Sequence, residues 1–206
     1  MLIQDTAWNE YIEIPALVTS GYYTQLKELE EQTNSFEKQI DLIFVQAGVG
    51  SWPSAVVHFV RNHPRLEKTD IVCIEPLQSD CFLESAKNKK LSATKKSQHT
   101  IMAGLNCGTP SVLAWEIMKS GINAFLAIDD EFAIEAMKKY YYPVEEDKSI
   151  EAGESGAAGL AGLLALINDR NLHDLQETLQ IKHSTSILLF NTESITDPDF
   201  FSKHVI

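Results

Sequence analysis

A chain of 206 residues, 44% of them apolar, can build a substantial core within one large domain. Its formal net charge of −12 argues against nucleic-acid partners and anionic membrane surfaces. No apolar run approaches the roughly 20 residues that a bilayer crossing needs. The N-terminus lacks the pattern of a secretion signal, and Cys73, Cys81 and Cys107 form no CxxC pair, so a reducing cytoplasm is the expected compartment.

The chain opens on a short apolar run that ends at Asp5, within Gln4-Asp5-Thr6-Ala7-Trp8. A carboxylate at that place reads as a turn residue or as a catalytic acid/base. Residues 15–36 carry Val18, Tyr22, Leu26, Leu29, Thr33 and Phe36 at helical spacing, and the pattern predicts one amphipathic helix. Strands are predicted at 42–46, 71–75, 124–128 and 187–190, with helices at 53–62, 80–87, 110–120, 131–141 and 155–167. The strand interiors are mostly apolar, as in parallel strands buried on both faces. Alternation of strand and helix therefore predicts an α/β fold, an open, mostly parallel sheet with helices on both faces, in a single domain spanning 1–206. Ligands of such sheets bind beyond the carboxyl ends of the strands.

Two glycine-rich stretches stand before helices. Gly48-Val49-Gly50-Ser51 follows the apolar run 42–45, and strand, glycine turn and helix together aim backbone N–H groups at an anion, usually a phosphate. It lacks the GK[ST] of a Walker loop, and Pro53 breaks a GxGxxG pattern. Gly153-Glu154-Ser155-Gly156-Ala157 opens a second apolar helix. Asp129-Asp130 ends a strand and is read as a helix N-cap. The lysine-rich run 87–96 reads as a solvated, mobile loop, and His58 as a partly buried structural residue of its helix. The six histidines lack metal-ligand spacing. Cys81 and Cys107 both lie near loops, where a disulfide would require a proximity that sequence does not reveal.

Taken together, Gln4-Asp5-Thr6-Ala7-Trp8, Gln46-Ala47-Gly48-Val49-Gly50, Ile74-Glu75-Pro76, the run from Thr100 to Gly108, Gly153-Glu154-Ser155-Gly156-Ala157 and Asn191-Thr192-Glu193 resemble, in order and spacing, the C-terminal half of diaminopropionate ammonia-lyase. That family belongs to the fold type II pyridoxal-phosphate enzymes, with tryptophan synthase β, threonine dehydratase and serine racemase. The resemblance implies pyridoxal 5'-phosphate as cofactor. It implies that Gly48, Val49, Gly50 and Ser51 hold the phosphate through amides and the serine hydroxyl. It further implies that Thr192 meets the pyridine nitrogen, that Glu154 lies near the ring, and that Asp5 moves protons at the substrate carbon. The implied reaction is loss of the β-amino group of 2,3-diaminopropionate, ending in pyruvate and ammonia.

The family's Schiff-base lysine lies in an N-terminal half outside this sequence, so the chain alone is expected to be catalytically incomplete. Trp52-Pro53 is bulkier than the small residues usual after this turn, and Ser194-Ile195 replaces a common glycine-acid pair, which bears on substrate identity. Two functions follow from different classes: the cofactor-cradling part of an ammonia-lyase, or a non-catalytic descendant that binds a phosphorylated metabolite or another protein. A homo-oligomer, or pairing with a complementing N-terminal half, is expected because apolar surface of the central sheet and of residues 15–36 would otherwise be exposed.

Overall fold

The computed structural model describes residues 3–206. Met1 and Leu2, part of the run read ahead of Asp5, lie outside them. Four strands, β1 (Leu42–Gln46), β2 (Asp70–Pro76), β3 (Ala124–Ile128) and β4 (Ile187–Leu188), form one parallel sheet in the order β3-β2-β1-β4. Side chains alternate across it, as the pleat requires. Leu42, Phe44, Val72, Ile74, Leu126 and Ile128 enter one core, whereas Ile43, Val45, Ile71 and Cys73 enter the other.

Each face is covered by its own helices. On the second face lie α2 (Tyr23–Gln32), α3 (Ser51–Asn62), α4 (Cys81–Asn88) and α5 (Val112–Gly121), and on the first α6 (Asp130–Tyr141), α7 (Ala158–Asn168) and α9 (Pro198–His204). α1 (Glu13–Gly21) packs beside α3, and α8 (His173–Thr178) follows α7. The expected α/β architecture is therefore the observed one. Among the described residues, no helix is long and apolar enough to cross a membrane.

Crossovers from β1 to β2 and from β2 to β3 run on one face, and the return to β4 runs on the other. The strand order thus reverses between β1 and β4. A crevice opens there at the strands' carboxyl ends, the usual ligand position of such sheets.

Several expectations need correction. The helix read over 15–36 is two helices that meet at Tyr22. Ser20 donates its hydroxyl back to the Ala16 carbonyl at 2.8 Å and Gly21 follows it, a pairing that bends helices. The chain then turns through positive φ at Asn34, Ser35 and Phe36. β4 stops at Leu188 because main-chain pairing with β1 covers only Leu42–Ile187 and Ile43–Leu188. The centre of the sheet is covered, with β1 buried throughout and β2 nearly so, while the edge strands β3 and β4 are half-buried. The exposed apolar side chains Ile3, Trp8, Ile12 and Leu17 sit in the N-terminal segment and α1, Leu17 within the region where exposure was expected.

His58 is exposed, with its ring nitrogen bonded to the Tyr23 hydroxyl. The lysine-rich run is pinned rather than free: Lys96 reaches the fully buried Asp80 at 2.7 Å, and Thr94 donates to the same carboxylate at 2.8 Å. All three cysteines are free, and burial pushes the Cys81 thiol pKa upward.

Candidate functional site

A cleft of about 520 Å³ occupies the crevice beyond β1 and β4. Its floor begins with the turn between β1 and α3. Gly50 has φ +101°, and a Cβ there would lie 2.4 Å from Phe82 Cζ, so only glycine fits. The Ala47 N–H is taken by the Ile74 carbonyl at 2.9 Å, but the N–H groups of Gly48, Val49 and Gly50 find no backbone acceptor among the described residues. Ser51 begins a 12-residue helix whose first-turn amides lack intrahelical partners, with the positive end of the helix dipole behind them. Pro53 removes only a donor that this turn could not have used inside the helix.

The second wall is the segment 100–107. Asp130 accepts from the Thr100 hydroxyl and from the Ile101 N–H at 3.0 Å, and Gly104 N–H donates to Ser155 Oγ at 3.0 Å. Asp130 is thus a tether for this loop. The helix N-cap position is held by Asp129, whose side chain makes no capping bond, so the capping role expected of this pair gives way to the tether.

The third wall is the chain after β4, residues 191–193. The Gln46 side chain crosses from β1 to meet it, donating to Thr192 Oγ1 at 2.9 Å and to the Phe190 carbonyl at 3.1 Å. Glu193 turns the other way. Its carboxylate accepts from the Ser155 N–H at 2.9 Å and the Gly156 N–H at 3.3 Å. The second glycine-rich stretch therefore has its anion already, from within the chain.

The N-terminal segment closes the rim. Ser111 Oγ accepts from Ala7 N–H at 2.9 Å, and the Ser51 hydroxyl donates to the Asp5 carbonyl at 3.1 Å. These bonds hold Asp5 at the mouth. Its charge adds to burial in raising the Tyr22 phenol, and again to burial in raising the Cys107 thiol, which the Val49 amide partly opposes. Trp52 donates from its indole to Gln25 at 3.1 Å and stands edge-on to Phe190 at 5.0 Å between ring centres.

Of the residues expected from sequence, Asp5, Gly48, Val49, Gly50, Ser51 and Thr192 all line this one cleft. Glu154 does not. It is buried, and its carboxyl is raised chiefly by burial, with Glu193 and Asp197 adding to the effect and its own backbone N–H and His204 opposing it. The Ser51 hydroxyl also differs from expectation, since its proton goes to Asp5 rather than into the cleft. Tyr22, Gln25, Cys107 and Glu193 were given no site role from sequence. For Tyr22 the available signal was the Ser20-Gly21 pair, which ends the helix and frees the side chain from a continuous core stripe. No lysine, arginine or histidine lines the cleft among the described residues.

Comparison with known proteins agrees with this geometry. The family profile described as "Pyridoxal-phosphate dependent enzyme" matches residues 4–181. Diaminopropionate ammonia-lyase of Salmonella typhimurium is 34% identical over all of this chain and 52% of its own length, and that of Escherichia coli K12 is 32% identical over 99% and 51%. The chain thus spans about half the length of the curated relatives it matches. The E. coli enzyme in complex with an aminoacrylate-PLP azomethine reaction intermediate superposes with a TM-score of 0.89 at 32% identity, covering 98% of this chain and 51% of that one. Maize serine racemase superposes at 0.68 with 26% identity, over 90% and 52%. With its open amide turn at the sheet's switch point and a match over residues 4–181, this chain belongs to the pyridoxal-phosphate dependent enzyme family.

Proposed function

We propose that the chain provides the cofactor-binding portion of a pyridoxal-phosphate-dependent ammonia-lyase acting on 2,3-diaminopropionate or a similar small amino acid, with pyruvate and ammonia as products. The observation that carries this reading is the pairing, in one cleft, of amides at 48–50 that have no backbone acceptor among the described residues with the Thr192 hydroxyl. A phosphate suits the first and a ring nitrogen the second. When bound, the cofactor supplies an electron sink for the carbanion formed at the substrate carbon. The amides and the α3 N-terminus hold the phosphate without any cationic side chain. Thr192 meets the ring nitrogen, and Asp5, fixed at the mouth through its own carbonyl, moves the proton at the substrate carbon. Trp52 and Tyr22 at the rim exclude water.

The cleft contains no lysine among the described residues, so the amine that links the cofactor covalently would come from a segment or polypeptide beyond these 206 residues. We place the protein in the cytoplasm as a homo-oligomer or a complemented assembly, with exposed Ile12 and Leu17 of the α1 region among the covered side chains. Analytical ultracentrifugation showing a clean monomer at high concentration would remove the self-association.

The absence of a cleft lysine also favours a second reading, a module that binds phosphorylated metabolites without chemistry. Titration with pyridoxal phosphate, followed by Trp8 and Trp52 fluorescence with borohydride trapping, separates the cases. Saturable binding without a trapped lysine adduct fits the enzyme portion, and tighter binding of an unrelated phosphometabolite favours the module. Ammonia release from 2,3-diaminopropionate by this chain alone would overturn its incompleteness.

A further inference from the structure

We propose that Gln46 is a positioning residue that fixes the Thr192 hydroxyl as a hydrogen-bond donor into the cleft, so that this end of the site selects a ring atom with a free lone pair. The inference rests on the cofactor reading above and adds the residue that sets its polarity.

The argument begins with the amide. Gln46 is the last residue of β1 and is 3% exposed, and its Nε2 lies 3.1 Å from the Phe190 carbonyl, 3.5 Å from the Gly156 carbonyl and 2.9 Å from Thr192 Oγ1. Turning the amide over would bring its oxygen against two backbone carbonyls, so those carbonyls determine which way it faces. An amide nitrogen only donates. Thr192 Oγ1 is therefore the acceptor in its contact with Gln46, and its single proton remains unspent. No other group among the described residues receives that proton, and Thr192 is exposed along the cleft wall.

The consequence is a sign. A ring nitrogen with a free lone pair accepts from Thr192, whereas a protonated ring nitrogen or a C–H at the same place faces a proton. Without Gln46 the hydroxyl could turn and serve either. The contact spans 146 residues of sequence and the junction of β1 with the segment after β4, so it depends on the fold being complete.

The test uses the purified chain and two probes that need no lysine, 4′-deoxypyridoxine 5′-phosphate and its counterpart with CH in place of the ring nitrogen. Binding is read by Trp52 fluorescence. The wild type is expected to favour the nitrogen probe by about tenfold, the yield of one hydrogen bond. That preference should fall as pH drops through the ring nitrogen's own pKa. Thr192→Val should abolish the preference, Gln46→Met should reduce it several-fold, and the double variant should match Thr192→Val. Equal loss of affinity for both probes in Gln46→Met would mean a merely structural glutamine and would overturn the inference. Should Gln46→Met fail to fold, the wild-type pH series still decides: a preference that does not weaken on ring protonation overturns it. Equal wild-type binding of the two probes sinks this inference alone. Binding of neither sinks the cofactor reading beneath it.

Discussion

The two glycine-rich turns look alike in sequence and differ in one respect. Both precede an apolar helix and both present backbone amides. At 153–157 those amides are spent on Glu193, whereas at 48–50 they have no backbone partner among the described residues. The first is a structural joint that carries its own carboxylate, and the second is the turn we propose as the receptor for an external anion. A glycine turn before a helix states only that amides will be gathered. What consumes them depends on a residue far away in sequence.

The sharpest challenge to the open turn is Gly50→Ala. A Cβ would stand 2.4 Å from Phe82 Cζ and 2.7 Å from Ala114 Cβ, at a φ unfavourable to L residues. A loss of about 3 kcal/mol is expected, from roughly 1 for the backbone and about 2 for overpacking. Pyridoxal phosphate binding should vanish with it. Retained binding with native thermal stability would dissolve the distinction between the turns.

Glu193→Ala probes the closed turn. Freeing the Ser155 and Gly156 amides should destabilise the chain by about 1–3 kcal/mol. Inorganic phosphate should then raise the melting temperature of the variant more than that of the wild type, with a second site appearing by calorimetry. Equal responses would break the comparison.

A pH series tests another strand end. Glu75, fully buried, accepts from Phe82 and Leu83 N–H groups at 2.8 Å each, yet burial raises its pKa from 4.5 to about 8. Between those values the folded chain holds a proton that the unfolded chain has released. Glu75 therefore contributes stability below the unfolded pKa and loses it as pH rises through the folded one, at no more than about 1.4 kcal/mol per pH unit. Glu75→Gln should flatten urea-unfolding free energy across that window. An unchanged slope would show the carboxyl to be ionised throughout.

The smallest effect belongs to Lys96→Ala. It leaves buried Asp80 with the Thr94 hydroxyl as its remaining side-chain partner among the described residues, and because Lys96 is itself about a third exposed the loss should be about 1 kcal/mol, read from denaturant midpoints. Faster proteolysis should appear near 95–98.

How much of this could be read in advance follows from the range of each interaction. The four strands were legible because parallel strands buried on both faces show as unbroken apolar runs, 42–45 most clearly. The open turn was legible because positive φ beside a packed phenylalanine demands glycine. The short helix α9 was not read, although Asp197 accepts from the Phe200 N–H at 2.9 Å and Pro198 follows it, a local start signal. Glu154 shows the limit of a motif: it stands beside residues that face the site while its own side chain is buried away from the lining. Gln46 and Glu193 were quoted within motifs but given no partners, since their bonds cross 146 and 38 residues respectively.

One consequence concerns the seam at β4. Two register pairs join that strand to the sheet, and past Leu188 the attachment passes to Gln46 from β1 and to Glu193, which bonds the 153–156 turn. The Thr192 hydroxyl thus rides on a segment held to the sheet by a side chain rather than by a ladder of main-chain bonds. A ligand gripping both margins would act as a clasp, and its arrival should register first as slowed deuterium uptake at 187–193, well before any change in the strands at the centre.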